Sequence, residues 1–195
     1  MPRSLSMRPD IMAIDAGRIL VPLARAAIGR EFGLDLPVAD ADAAWLREPG
    51  ATFVTLTQGA QLRGCIGTLE ACRPLADDVV ANAQAAAFRD PRFKPLTREE
   101  FATTTVEVSL LSPLENLSFN DEASALAQLR PDIDGVIFQY GHHRSTFLPQ
   151  VWEQLPERAE FMAHLKHKAG LPPDFWSSEV KLSRYTVSKW HEAES

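Results

Sequence analysis

The run Leu62-Arg63-Gly64-Cys65-Ile66-Gly67-Thr68 concentrates the most chemistry in this chain. Read as a strand, its side chains alternate: Leu62, Gly64, Ile66 and Thr68 share one face, and Arg63, Cys65 and Gly67 the other. Two glycines weaken a strand, so they mark a bulge or a close approach by ligand or backbone. A guanidinium beside a thiol favours the thiolate. The run therefore has two readings: a reactive thiol next to an anion-binding arginine, or a buried core cysteine. On the first, Cys65 is the candidate nucleophile, and Arg63, Gly64, Gly67 and Thr68 are candidate substrate contacts. Arg92 joins them, because it stands between Pro91 and Phe93, where the chain direction is fixed and the guanidinium is aimed. Glu107 is a candidate base or orienting carboxylate. It lies in an alternating run with Thr105 and Ser109 on its own side and Val106 and Val108 on the other. That side is either solvent, the commoner case for an antiparallel sheet, or the lining of a cleft in which Glu107 pairs with an arginine such as Arg63.

The charge around this run fits an anionic ligand. Between Gln61 and Arg98 six basic residues face four acidic ones, inside a chain of net charge −6. Such a local excess suits a small anion better than extended nucleic acid, which needs a broad basic face. His142 and His143, in a Gly-flanked turn, are of a type that acts as acid or base near neutrality. His164 and His167 would share a helix face, but no third ligand stands at metal-binding spacing, so neither metal nor cofactor is expected. Phosphate-binding glycine loops and a serine nucleophile elbow are absent.

The elements that must position these residues follow from periodicity. A first helix is expected from an Asp10 cap to about Gly29, with Pro22 forcing a kink or a late start. Residues 33–50 read as connection with one turn at 42–47. The runs 51–57 and 61–68, separated by Gln58-Gly59-Ala60, read as a hairpin. Pro74 opens an alanine-rich helix with Asp77 and Asp78 in its first turn and Arg89 in its last, ended by Pro91 and Pro95. Strands are expected at 103–111, 135–140, 146–148 and 180–188, and helices at 121–129 and 157–169. Paired strands with helices between, and no regular βαβ beat, predict an α+β fold. Its sheet would be mainly antiparallel or mixed, flanked by helices. The 195 residues, 45% hydrophobic and 24% charged, fit a single domain. No apolar stretch approaches the length of a membrane span. The opening Met1-Pro2-Arg3-Ser4-Leu5-Ser6-Met7-Arg8 lacks a signal peptide's apolar centre, and two cysteines make no disulfide framework, so a cytoplasmic location is expected.

The chain resembles the AMMECR family, whose microbial members are called AmmeMemoRadiSam system protein A. The resemblance rests on the complete run at Cys65, then Asn82-Ala83 and Ala86-Ala87 leading to Asp90-Pro91-Arg92-Phe93 and Pro95-Leu96. It continues through Val106-Glu107-Val108-Ser109, Leu111-Ser112-Pro113, Leu148-Pro149-Gln150-Val151, Lys168-Ala169-Gly170-Leu171 and Trp176, covering about residues 16–188. It implies one domain over 1–195 made of a larger and a smaller subdomain, with the Arg-Gly-Cys motif near a cleft between them. It also implies a pathway shared with Memo-like and radical SAM proteins. The residues around Cys65, not the resemblance, give the expectation that this chain is an enzyme or catalytic partner acting on an anionic small substrate. The alternative is a non-catalytic adaptor that binds a ligand or protein of that system.

Overall fold

The structure, a computed structural model, describes residues 9–192, and the side chains of 16–192. The reading of residues 1–8 lies outside that range. Helix α1 runs Pro9–Glu31 with Pro22 inside it, so the late start is not seen. Asp10 is inside the helix rather than capping it, and its side chain is outside the described set. A short 3-10 helix, Ala44–Arg47, stands where one turn was expected. The remaining elements, in order, are β1 (Pro49–Gly50), β2 (Thr52–Gln58), β3 (Gln61–Gly67), β4 (Arg73–Pro74), α2 (Leu75–Phe88), α3 (Arg98–Thr103), β5 (Thr104–Leu111), β6 (Glu115–Asn116), α4 (Glu122–Ala127), β7 (Gly135–Tyr140), β8 (His143–Phe147), α5 (Arg158–Lys168), β9 (Lys181–Tyr185) and β10 (Val187–His191). A second 3-10 helix, Pro149–Glu153, follows β8. The architecture is α+β.

Two compact units divide the chain. The first comprises residues up to Leu111 together with Ser188 onward, and the second is Ser112–Val187. In the first unit a four-stranded sheet has the order β10-β5-β2-β3, with β2 antiparallel to both its neighbours. Val54 and Leu56 on β2 and Val106 and Val108 on β5 turn to one side and pack with Val79, Ala83 and Ala86 of α2 and Leu20, Ala24 and Ala27 of α1. The small alanines let α2 come close to the sheet. A two-stranded β1–β4 ladder adjoins the start of α2. In the second unit β6-β9-β7-β8 form an antiparallel sheet over a core of Phe138, Trp152, Phe161 and Leu165. Trp152 and Phe161 stack there at 3.7 Å.

Two elements depart from their expected form. The single strand expected over 180–188 is two strands, β9 in the second unit's sheet and β10 in the first's, broken at Thr186. Ser112 and Thr186 tie the chain at that break, each donating its N–H to an oxygen of the other. The other departure is α3, which no apolar periodicity announced. Its cap is a reciprocal pair: Glu100 N–H donates to Thr97 Oγ1, and Thr97 N–H donates to Glu100 Oε2.

Candidate functional site

The Cys65 run lies on β3, an edge strand of the first unit's sheet. Its pairing with β2 slips between Leu56 and Thr57: Leu56 faces Gly64, but Thr57 faces Leu62. Arg63 is the extra residue of a bulge, which breaks strict alternation. Leu62 therefore shares the Cys65 face, not that of Gly64 as alternation predicted, and it is exposed. Both glycines have packing reasons. A Cβ on Gly64 would sit 2.2 Å from the Ala86 carbonyl oxygen of α2, and one on Gly67 would meet the Phe53 ring at 2.2 Å. The close approach here is made by the protein's own helix and ring. Thr68 is similarly occupied: its N–H donates to the Thr52 carbonyl and its hydroxyl to Asp78. Asp78 is buried and also accepts from Thr52, Arg73 and Asn82.

Cys65 is half-buried and pairs across the ladder with Thr55, which pairs on its other side with Glu107. Cys65, Thr55 and Glu107 therefore form a row on the face turned away from α1 and α2. The Thr55 hydroxyl is 3.3 Å from Cys65 Sγ. Glu107 is two strand spacings from Cys65, about 10 Å, so it is placed to act on a bound molecule rather than on the thiol. The edge side of Cys65 is fully engaged. Its N–H donates to Asp90 Oδ2 at 2.9 Å, and its carbonyl accepts from Arg92 Nη2 at 3.2 Å. Arg92 grips Asp90 with two parallel bonds, Nε to Oδ1 at 2.9 Å and Nη2 to Oδ2 at 2.7 Å. The Arg92 bonds, with the N–H of Cys65, hold the buried Asp90 carboxyl well below the usual carboxylate range. Asp90 raises Arg92 in return. A sheet edge that would otherwise expose backbone is covered by this pair.

Arg63 does not meet Glu107. Its fork binds Glu100 through Nε at 3.2 Å and Nη2 at 3.0 Å, and Nη2 also reaches the Lys94 carbonyl. This pairing lowers the Glu100 carboxyl below its ordinary value. Glu107 has no ion-pair partner among the described residues. The expected Arg63–Glu107 pair is thus replaced because α3 delivers a nearer carboxylate. The guanidinium carbons of Arg63 and Arg92 lie 5.8 and 5.5 Å from the centroid of Phe93. Arg63 Nη1 is buried and donates to nothing. Asp90, Glu100 and Thr55 are the site residues that motif reading missed. Thr97-x-x-Glu100 was a readable capping signal, whereas nothing local announces an Asp that bonds a backbone 25 residues away.

The histidines form no such site. His143 Nδ1 is 2.9 Å from the Ala169 carbonyl oxygen, His142 stacks on it, and His164 and His167 are exposed. Among the described residues no group of three His, Cys, Asp or Glu is placed to hold a metal, and no helix is long and apolar enough to cross a membrane.

Comparison with known proteins decides the family. The AMMECR1 family model matches residues 21–190. The chain belongs to the AMMECR1 family. Among AMMECR1 relatives, protein MJ0810 of Methanocaldococcus jannaschii is 36% identical over 192 residues, covering 94% of each chain. A protein of Methanothermobacter thermautotrophicus is 39% identical over 184 residues, 91% of this chain and 95% of its own. The crystal structure of the uncharacterized protein PH0010 from Pyrococcus horikoshii is similar with a TM-score of 0.76 and 34% identity. It covers 90% of this chain and 91% of that one.

Proposed function

We propose that this AMMECR1 chain is an enzyme or catalytic partner that takes a small anionic substrate at Cys65, with Cys65 as thiolate nucleophile. Arg63 and Arg92 hold the anionic group, and Glu107 orients or deprotonates the substrate from the far end of the row. The observation that carries this reading is the buried, unpartnered Nη1 of Arg63. An unsatisfied buried donor costs about 1–3 kcal/mol, and an arriving anion offsets that cost. Arg92 adds an exposed donor, Nη1, since its hydrogen bonds use only Nε and Nη2. The two free cysteines support a cytoplasmic setting, and the family resemblance supports a pathway shared with Memo-like and radical SAM proteins.

The test uses Cys72, an exposed thiol in the same chain, as internal reference. Both thiols are labelled with anionic iodoacetate and with neutral iodoacetamide, and site-resolved rates are read by mass spectrometry. The iodoacetate-to-iodoacetamide ratio is expected to be about tenfold higher at Cys65 than at Cys72, and to fall in Arg92→Lys, which lacks the fork. Equal ratios at the two thiols defeat the reading.

One observation favours a non-catalytic adaptor instead. The Cys65 N–H, the donor nearest to where an oxyanion would form, is already given to Asp90. Normal pathway output from a Cys65→Ser variant would select the adaptor.

A further inference from the structure

A concavity in the first unit lies away from the Cys65 row. A cavity of about 570 Å³ opens where α1 meets β10 and the segment that follows α1. That volume is within the range of small-molecule sites. Its walls are largely apolar, from Val21, Pro22, Leu36, Pro37 and Trp190. The Trp190 ring lies against α1 at Gly17, where a Cβ would be 2.4 Å from ring carbons, so a glycine inside a helix is what lets the indole form a wall. Two arginines line the cavity, in different states. Arg25 is committed: it donates to the carbonyls of Thr104 and Phe101 and pairs with Glu192 at 3.1 Å. Arg18 is exposed and has no partner among the described residues. Pro22 has no N–H, so the Arg18 carbonyl also lacks the donor that a helix supplies four residues on.

We infer that this cavity binds a small amphipathic carboxylate, its apolar body against Val21 and Trp190 and its carboxylate on Arg18. Charge complementarity selects that occupant. Among the described residues, Arg25 is paired with Glu192, and Arg18 is the arginine left without a carboxylate beside the apolar walls. The chain's own first eight residues carry Arg3 and Arg8 and no acid, so they do not match it.

Decanoate and decyltrimethylammonium, equal in chain length and opposite in charge, test the inference by calorimetry and by Trp190 fluorescence on the full chain. Decanoate is expected to bind with a Kd below about 1 mM and at least about tenfold more tightly than the cation. Arg18→Gln, a surface change, should remove that preference. Trp190→Phe should remove the fluorescence response while calorimetric binding persists, and Leu36→Trp, which fills the cavity, should abolish binding. No binding at about 1 mM, equal binding of both probes, or binding unchanged in Leu36→Trp overturns the inference. Binding that appears only after residues 193–195 are deleted gives the cavity to the acidic tail. A solution dimer broken by Leu36→Trp gives it to a second copy. Either result also overturns it.

Discussion

Asp90 holds three groups at once: the Cys65 N–H, the Arg92 N–H and the Arg92 fork. Asp90→Asn keeps the shape but turns an amide donor or a neutral oxygen toward the guanidinium. The expected loss is about 1–3 kcal/mol at pH 7, read as a lower urea midpoint. The pH dependence has a definite sign. The folded-state carboxyl lies below its unfolded value, so its stabilisation is complete above the unfolded pKa near about 4 and fades as pH falls toward the folded one. Wild type and variant should therefore differ clearly at pH 6 and converge as the medium is taken below about pH 4. A gap that stays constant or widens on acidification would show that the Asp90 charge is not the source. At this scale the candidate side chains could be named from the sequence, because thiol and guanidinium chemistry belongs to residue type. Their partners were not. Arg63 takes Glu100 rather than Glu107 because the choice depends on where a helix 37 residues later delivers a carboxylate.

The spacing between α2 and β3 is set at Gly64, where the Ala86 carbonyl occupies the volume a side chain would need. Gly64→Ala must push helix from sheet or bend the strand, with an expected cost of about 1–3 kcal/mol or more. Because Cys65 is the next residue, its labelling rate should change in the same variant. Thermal melts paired with thiol labelling check both, and a variant melting and labelling like wild type would mean that α2 gives way freely. Most of the hairpin, α2 and β5 were readable from alternation and helix signals. The bulge at Arg63 was not placed, since period-2 reasoning assigns faces on the assumption that no residue is inserted. Likewise, 180–188 reads as one alternating run whose phase shifts where Ser183 and Arg184 stand side by side, and nothing in the pattern marked Thr186 as the point where β9 ends and β10 begins in a different sheet.

Each unit has its own core, and the second is one continuous stretch, Ser112–Val187. Expressed alone, residues 112–187 are expected to fold, with a cooperative urea transition reported by the stacked Trp152. A fragment with no transition would make the second core dependent on the rest of the chain. The first unit is discontinuous. Its sheet needs β10, and Glu192 there pairs with Arg25 and accepts the Val106 N–H. During synthesis β5 is complete at residue 111, but the strand that covers its free edge arrives only from residue 187 onward. At about 5–20 residues per second, that edge waits unpaired for several seconds on the ribosome, while the intervening unit has time to fold. An open edge strand is a template for pairing with other chains, so nascent chains stalled before residue 187 are the form of this protein most prone to aggregate.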